Sequence, residues 1–188
     1  MTINPPYALY PGGNTPAQAQ TDLTAAYDQA VGLTGATNLS GQDLAGKTLN
    51  PGVYAFSSSA ALTSGILTLN DQGNPNAQFV FQIGSTLVTD SGSAVEMSNG
   101  SQDPNIFWQV GSSATLGTSS VFEGHILALT SITLGTGANI VDGSALARNG
   151  AVTLEGNVIS NATPEPGAWT LTLVGLGIFG LPHVVRRR

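Results

Sequence analysis

Residues 114–118 read Ala114-Thr115-Leu116-Gly117-Thr118, and one short interval later the chain reads Ile132-Thr133-Leu134-Gly135-Thr136. Val152-Thr153-Leu154 follows at a similar distance, and Gly124-His125-Ile126-Leu127-Ala128 returns as Gly143-Ser144-Ala145-Leu146-Ala147. Upstream, Val80-Phe81-Gln82-Ile83-Gly84-Ser85 recurs as Phe107-Trp108-Gln109-Val110-Gly111-Ser112. Short β-type runs without helical pattern, repeating at this interval, predict a mainly β fold, a β-solenoid of about 18–20 residues per coil. The rival is a β-sandwich with strands every ~8–12 residues. It accounts for the turns but not for near-identical segments at one period.

In a strand, alternate side chains face opposite ways. Leu127, Leu129, Ile132, Leu134, Ile140, Leu146, Val152 and Leu154 are therefore expected inside the coil, and Thr68, Thr86, Thr115, Thr133 and Thr153 outside it. A second outward group is expected one coil apart, at Thr118-Ser119-Ser120 and Thr136-Gly137-Ala138-Asn139. Stacked coils repeat at about 4.8 Å, so equivalent positions form straight rows. A threonine row is stiff at χ1 and presents methyl and hydroxyl groups in a fixed array, a surface suited to ordering water. The alternative is that threonine is simply common on exposed strands.

Composition narrows the partners. Charged residues are 9 % of the chain, against roughly 25 % in an average soluble domain. Gly, Thr, Ser and Asn supply 74 of the 188 residues. Before Thr163 only Lys47 and Arg148 are positive against ten carboxylates, so that region carries a net charge of −8. Nucleic-acid binding, which needs clustered cations, is excluded on that ground. The absence of cysteine removes disulfides, thiol catalysis and Cys-type zinc sites. Glu123 and Asp142 occupy matching corners before Gly124 and Gly143, where two carboxylates could act as an acid/base pair or hold Ca²⁺; solvated corner charges are the simpler reading. His125 stands without an evident partner for a triad, and Phe107 and Trp108 read as core or helix contacts. No enzyme is predicted.

One helix is predicted over 15–31, with Thr15 as N-cap, Pro16 at its first turn and a stripe of Ala19, Leu23, Ala26, Tyr27 and Ala30. Only the short segment 1–14 precedes it. The C-terminus departs from the rest: a linker over 161–167, an apolar run over 168–185 and then Arg186-Arg187-Arg188. As a helix that run spans ~27 Å, close to a hydrocarbon core of ~30 Å, and the arginines would stay cytoplasmic. Residues 168–188 are thus read as a transmembrane tail. Met1–Tyr10 shows neither a basic n-region nor an apolar h-region, so no signal peptide is read at the start of this chain.

Two resemblances sharpen these readings. Pro164-Glu165-Pro166, the spanning stretch and the arginine cluster resemble a PEP-CTERM sorting signal. That implies a secreted or cell-surface protein of a Gram-negative bacterium, handled by exosortase-type machinery at the inner membrane. Residues 15–160 resemble the microbial ice-binding proteins, through Ala17–Leu23, Leu44–Gly46, Leu49–Tyr54, Phe79–Ser85, Asn105–Gly111, Thr130–Ala138 and Gly150–Leu154. The resemblance implies a discontinuous right-handed β-helix with one long helix packed alongside, and a monomer without cofactor. It further implies adsorption to ice and inhibition of ice growth and recrystallisation. Thr136-Gly137-Ala138-Asn139 matches the family's T-A/G-x-T/N pattern, whereas Thr118-Ser119-Ser120-Val121 matches only its first position and Thr89-Asp90-Ser91-Gly92 introduces a charge. The expected ice-contacting set is Thr68, Thr86, Thr115, Thr118, Ser120, Thr130, Thr133, Thr136, Asn139 and Thr153. The family carries several dozen residues before the helix, so the N-terminal coils are expected to be missing here and the product to be less stable for it. The second functional reading is a non-enzymatic surface adhesin or exopolysaccharide-associated structural protein.

Overall fold

The computed structural model describes residues 14–74, 76–98 and 105–160, with side chains from residue 17 onward. The segment before the helix, the 161–167 linker and the 168–188 tail with its sorting motif lie outside the described residues. No helix among those described is long and apolar enough to cross a membrane.

The chain enters through α1 (Asn14–Gly32), one residue longer at each end than the apolar stripe predicts. It then winds in successive turns. The first contains β1 (Thr37–Asn38) and β2 (Thr48–Leu49), and the second β3 (Gly52–Phe56), β4 (Ala60–Leu62) and β5 (Ile66–Leu69). The third contains β6 (Phe79–Ile83), β7 (Leu87–Thr89) and β8 (Ala94–Met97). Then come β9 (Ile106–Val110), β10 (Ala114–Leu116), β11 (Val121–Ala128), β12 (Ile132–Leu134), β13 (Asn139–Ala147) and β14 (Val152–Thr153).

Every pairing between these strands is parallel, and three faces result. The first stacks β1, β3, β6 and β9 with the second halves of β11 and β13. The second face stacks β4, β7, β10, β12 and β14, and the third β2, β5 and β8 with the first halves of β11 and β13. β11 and β13 run round a corner without a break because Gly124 and Gly143 sit there. Gly124 has φ +101°, and a Cβ on Gly143 would run into the Gly124 carbonyl oxygen. Only glycine allows the two backbones to approach so closely.

Register corrects the expected repeat length. The short step holds between the first two turns, as in Thr37↔Tyr54 and Thr48↔Thr68, and again from β9 onward, as in Ala114↔Ile132, Ile126↔Ala145 and Ile132↔Val152. The turns between take a longer step, as in Tyr54↔Phe81, Phe81↔Trp108 and Leu87↔Ala114. The additional residues lie between β5 and β6 and between β8 and β9, so those connections lengthen while the strands keep their stacking.

The core fills the coil. Tyr54, Phe81 and Trp108 occupy one inward position in three consecutive turns. Phe81 stacks on Trp108 with ring centroids 3.8 Å apart and on Tyr54 at 5.4 Å, while Phe122 closes on Trp108 at 4.8 Å. Trp108 is fully buried, and its Nε1 donates to the Glu123 carbonyl oxygen at 3.0 Å. Ile132, Leu134 and Ile140 lie inside as expected. Leu127 and Leu129 do not: they point out of the first face and form a second cluster with Leu23 and Tyr27 of α1. Leu146 is exposed because it pairs with Leu127 and shares its outward place, and Val152 and Leu154 are exposed because no described strand stacks beyond the last turn.

The helix is held on the first face by the repeated glutamines. Gln82 Nε2 donates to the carbonyl oxygens of Ala30 and Leu33, each at 2.8 Å, satisfying groups that a helix C-terminus leaves open. Gln109 Nε2 donates to Tyr27 Oη at 2.8 Å, and Arg148 lies 4.7 Å over the Tyr27 ring and 3.3 Å from Asp28. Leu23, Tyr27 and Ala30 are buried, whereas Ala19 and Ala26 of the expected stripe are exposed.

Glu123 is half-buried on the third face, and its Oε2 has no hydrogen-bond partner. Burial pushes its carboxyl up to about 7; a hydrogen bond to the Met97 backbone pulls the other way, and the Asp142 and Glu96 carboxylates add to the rise. Because the folded-state value is raised, this group favours the folded state most below its ordinary value of 4.5 and loses that effect as pH rises to about 7. Melting temperature should therefore fall between those limits, and Glu123→Gln should flatten that slope and raise the melting point at pH 8; thermal unfolding followed by circular dichroism across pH checks both. Trp108→Ala, which opens the centre of the aromatic stack, should cost ~3–5 kcal/mol in chemical denaturation.

Candidate functional site: the second face

The second face is built from three-residue strands with one pattern. In β4, β7, β10 and β12 the outer two side chains are buried and the middle one is exposed. Parallel register then aligns the middle residues as Ala61, Val88, Thr115, Thr133 and Thr153. All five are exposed and none is charged. Beneath them Leu62, Leu87, Leu116, Ile132 and Leu134 are at most 1 % exposed, so the strands cannot rock and the row is rigid.

A shelf of turns borders the row. Thr118 and Thr136 are exposed at its rim, and each precedes a residue in the left-handed region, Ser119 at φ 57° and Gly137 at φ 68°. The turns are fastened from below. Ser93 Oγ donates to the Asp90 carbonyl oxygen and Ser120 Oγ to that of Gly117, both at 2.7 Å, and Thr89 Oγ1 accepts the Gly117 N–H at 3.0 Å. At the first turn Asp43 sits in register with Ala61. Desolvation would raise its pKa. The Ala45 backbone and the Thr63 side chain and backbone outweigh it, with a further bond to Leu44, and hold the carboxyl below its ordinary value.

Of the expected residues, Thr115, Thr133 and Thr153 form the row, and Thr118 and Thr136 its rim. Thr86 does not belong to the row. Leu87 pairs with Ala114, which puts Thr86 at the corner beside Ser113, where its hydroxyl meets Ser59 Oγ at 2.8 Å; Val88 takes the outward place. Thr130 is at the same corner two turns later, 2.6 Å from Ser113 Oγ in the turn between. Thr68 lies on the third face, between Thr48 and Glu96. Ser120 is buried at 1 % exposure, with its hydroxyl turned inward onto its own turn. Asn139 opens β13 on the third face, paired with Val121, and its Oδ1 accepts the Val158 N–H at 2.8 Å, so it ties turns together away from the row. Ala61 and Val88, which complete the row, were not anticipated. Their signal was the hydrophobic-outward-hydrophobic triplet, obscured because the outward residue is apolar.

Glu123 and Asp142 lie in adjacent turns, close enough for the Asp142 carboxylate to raise that of Glu123, and Glu123 is half-buried rather than a solvated corner charge. No group of three or more His, Cys, Asp or Glu able to hold a metal ion occurs among the described residues. His125, expected to stand alone, has Nδ1 2.9 Å from Ser144 Oγ and its ring stacked on Phe107 at 5.4 Å. Phe107 packs toward α1 and Trp108 into the core, as expected.

A protein named ice-binding protein from Nostoc sp. (strain HG1) is 52 % identical over 190 residues, covering 96 % of this chain and 70 % of the relative. An ice-binding protein from Flavobacterium frigoris (strain PS1) is 36 % identical over 74 % of this chain, which spans about half of that relative's length. The crystal structure of an ice binding protein from an Antarctic biological consortium superposes with a TM-score of 0.75 at 46 % identity, over 79 % of this chain and 68 % of the other. The ice-binding protein from an Arctic yeast superposes at 0.72 with 33 % identity, over 82 % of this chain and 68 % of the other. With the ice-binding-like family profile matching residues 8–160, this chain belongs to that family.

Proposed function

We propose that the protein binds ice through the second face and so slows ice growth and recrystallisation. The observation that carries this reading is the exposed, uncharged row Ala61, Val88, Thr115, Thr133 and Thr153, fixed in parallel register over a close-packed core. At about 4.8 Å between turns, methyl groups and threonine hydroxyls alternate with little rotational freedom. Water held between such groups is ordered without the competing geometry of ionic hydration. Thr118 and Thr136 widen the face at one margin. The likeness to proteins named for ice binding supports the same conclusion.

The right-handed, discontinuous form of the coil and a monomeric, cofactor-free state belong to this proposal as well. So does export: the order Pro164-Glu165-Pro166, apolar stretch and Arg186-Arg187-Arg188 supports a PEP-CTERM tail recognised at the inner membrane by exosortase-type machinery. Such a tail would serve a surface adhesin equally well, and the threonine row separates the two readings.

Thr133→Tyr places a bulky ring in the middle of the row without touching the core. It should lose most of the parent's thermal hysteresis and recrystallisation inhibition, with an unchanged circular dichroism spectrum; Thr115→Tyr should behave alike. Full activity in both variants would move the site off this face. A folded parent without either activity would favour the adhesin.

A further inference from the structure

The five-residue row carries no charge, but its rim carries two exposed carboxylates, Asp90 in the turn after β7 and Glu155 in the last described turn. Glu155 Oε2 accepts a hydrogen bond from Thr136 Oγ1 at 2.9 Å, and its carbonyl oxygen accepts the Gly137 N–H at 3.1 Å. Its own N–H donates to Asn157 Oδ1, and Asn157 Nδ2 donates to the carbonyl oxygens of Gly135 and Ala138, each at 2.7 Å. Glu155 is therefore clamped, exposed, against the turn that carries Thr136. Asp43, at the opposite end of the face, differs: it is partly buried, and the Ala45 and Thr63 N–H groups and the Thr63 hydroxyl all bond to its carboxylate.

A threonine hydroxyl has one proton to donate. At Thr136 it points into the carboxylate, so toward an ordered water layer this hydroxyl can only accept. Beside it stands a full negative charge whose own water shell is held by ionic hydration rather than in a tetrahedral lattice. Building on the ice-binding reading above, we infer that Glu155, the rim carboxylate that takes the hydroxyl proton of an outward threonine, limits this face at its last described turn. It removes Thr136 as a donor and terminates the ordered water layer at the last turn. Neutral replacement removes the ionic hydration shell and enlarges the contact, and loss of the acceptor as well frees the Thr136 hydroxyl to donate.

Two variants separate charge from geometry. Glu155→Gln keeps a side-chain carbonyl oxygen for Thr136 but loses the charge, and Glu155→Thr loses both while adding a hydroxyl. Thermal hysteresis at equal protein concentration should rise about two-fold in each, the scale of one exposed charge interaction, with thermal melting as the folding control. Unchanged hysteresis in both, or Glu155→Gln at parent level with Glu155→Thr below it, overturns the inference; the latter would make Glu155 a positioning residue for Thr136. These results are distinct from failure of the ice-binding reading, in which the folded parent has no hysteresis to alter and both proposals fall.

Discussion

Parallel stacking of one turn on the next is the constraint from which the rest of this molecule follows. Each turn hydrogen-bonds only to its neighbours, so a residue's place is set by the residue above and below it. Tyr54, Phe81 and Trp108 show what this requires inside: large flat rings at one register position, close enough that adjacent turns cannot slip. A slip of one residue would drive those rings to the surface and bring Ala55, Gln82 and Gln109 inside. The outward rows inherit their regularity from that inward lock.

The first face is under the same constraint with a different outcome. Its outward residues include Gln82, Gln109 and Leu127, and α1 covers them. Glutamine suits this place because one amide donates two hydrogen bonds, and at Gln82 both meet the open carbonyl oxygens at the helix C-terminus. The helix thereby removes one face of the coil from solvent, and the third face carries Glu96 and Glu123. The second is left open, with an outward row that carries no charge.

The low charge content takes on a place in this architecture. A solenoid with few ion pairs keeps its turns together by burial and backbone bonding, so its flat face needs no charged fringe for stability. The carboxylates near that face are then informative individually. Asp43 is tied to Ala45 and Thr63, and Glu155 closes on Thr136.

Much was legible in the sequence, because a solenoid writes its period into the chain. The recurrence of Thr-Leu-Gly-Thr and of Gly124 and Gly143 determined by itself that turns stack, that Thr115, Thr133 and Thr153 align, and that one helix stands apart from the β region. Local alternation could not settle which way a residue faces when both sides of a strand are apolar. Leu127 reads like Ile126 and Ile132, yet it meets α1, at the far end of the chain. Nor could a Thr-Leu pair reveal that Leu87 stacks on Ala114 and not on Leu116, which displaced Thr86 and brought Val88 into the row. Ser120 shows the same limit at the scale of one turn: its hydroxyl folds back onto Gly117 and leaves the surface to Thr118. Period is a property of the chain and survives without coordinates. Register and facing are set by contacts between successive turns and with the helix, all between residues distant in sequence, and only the tertiary structure decided those.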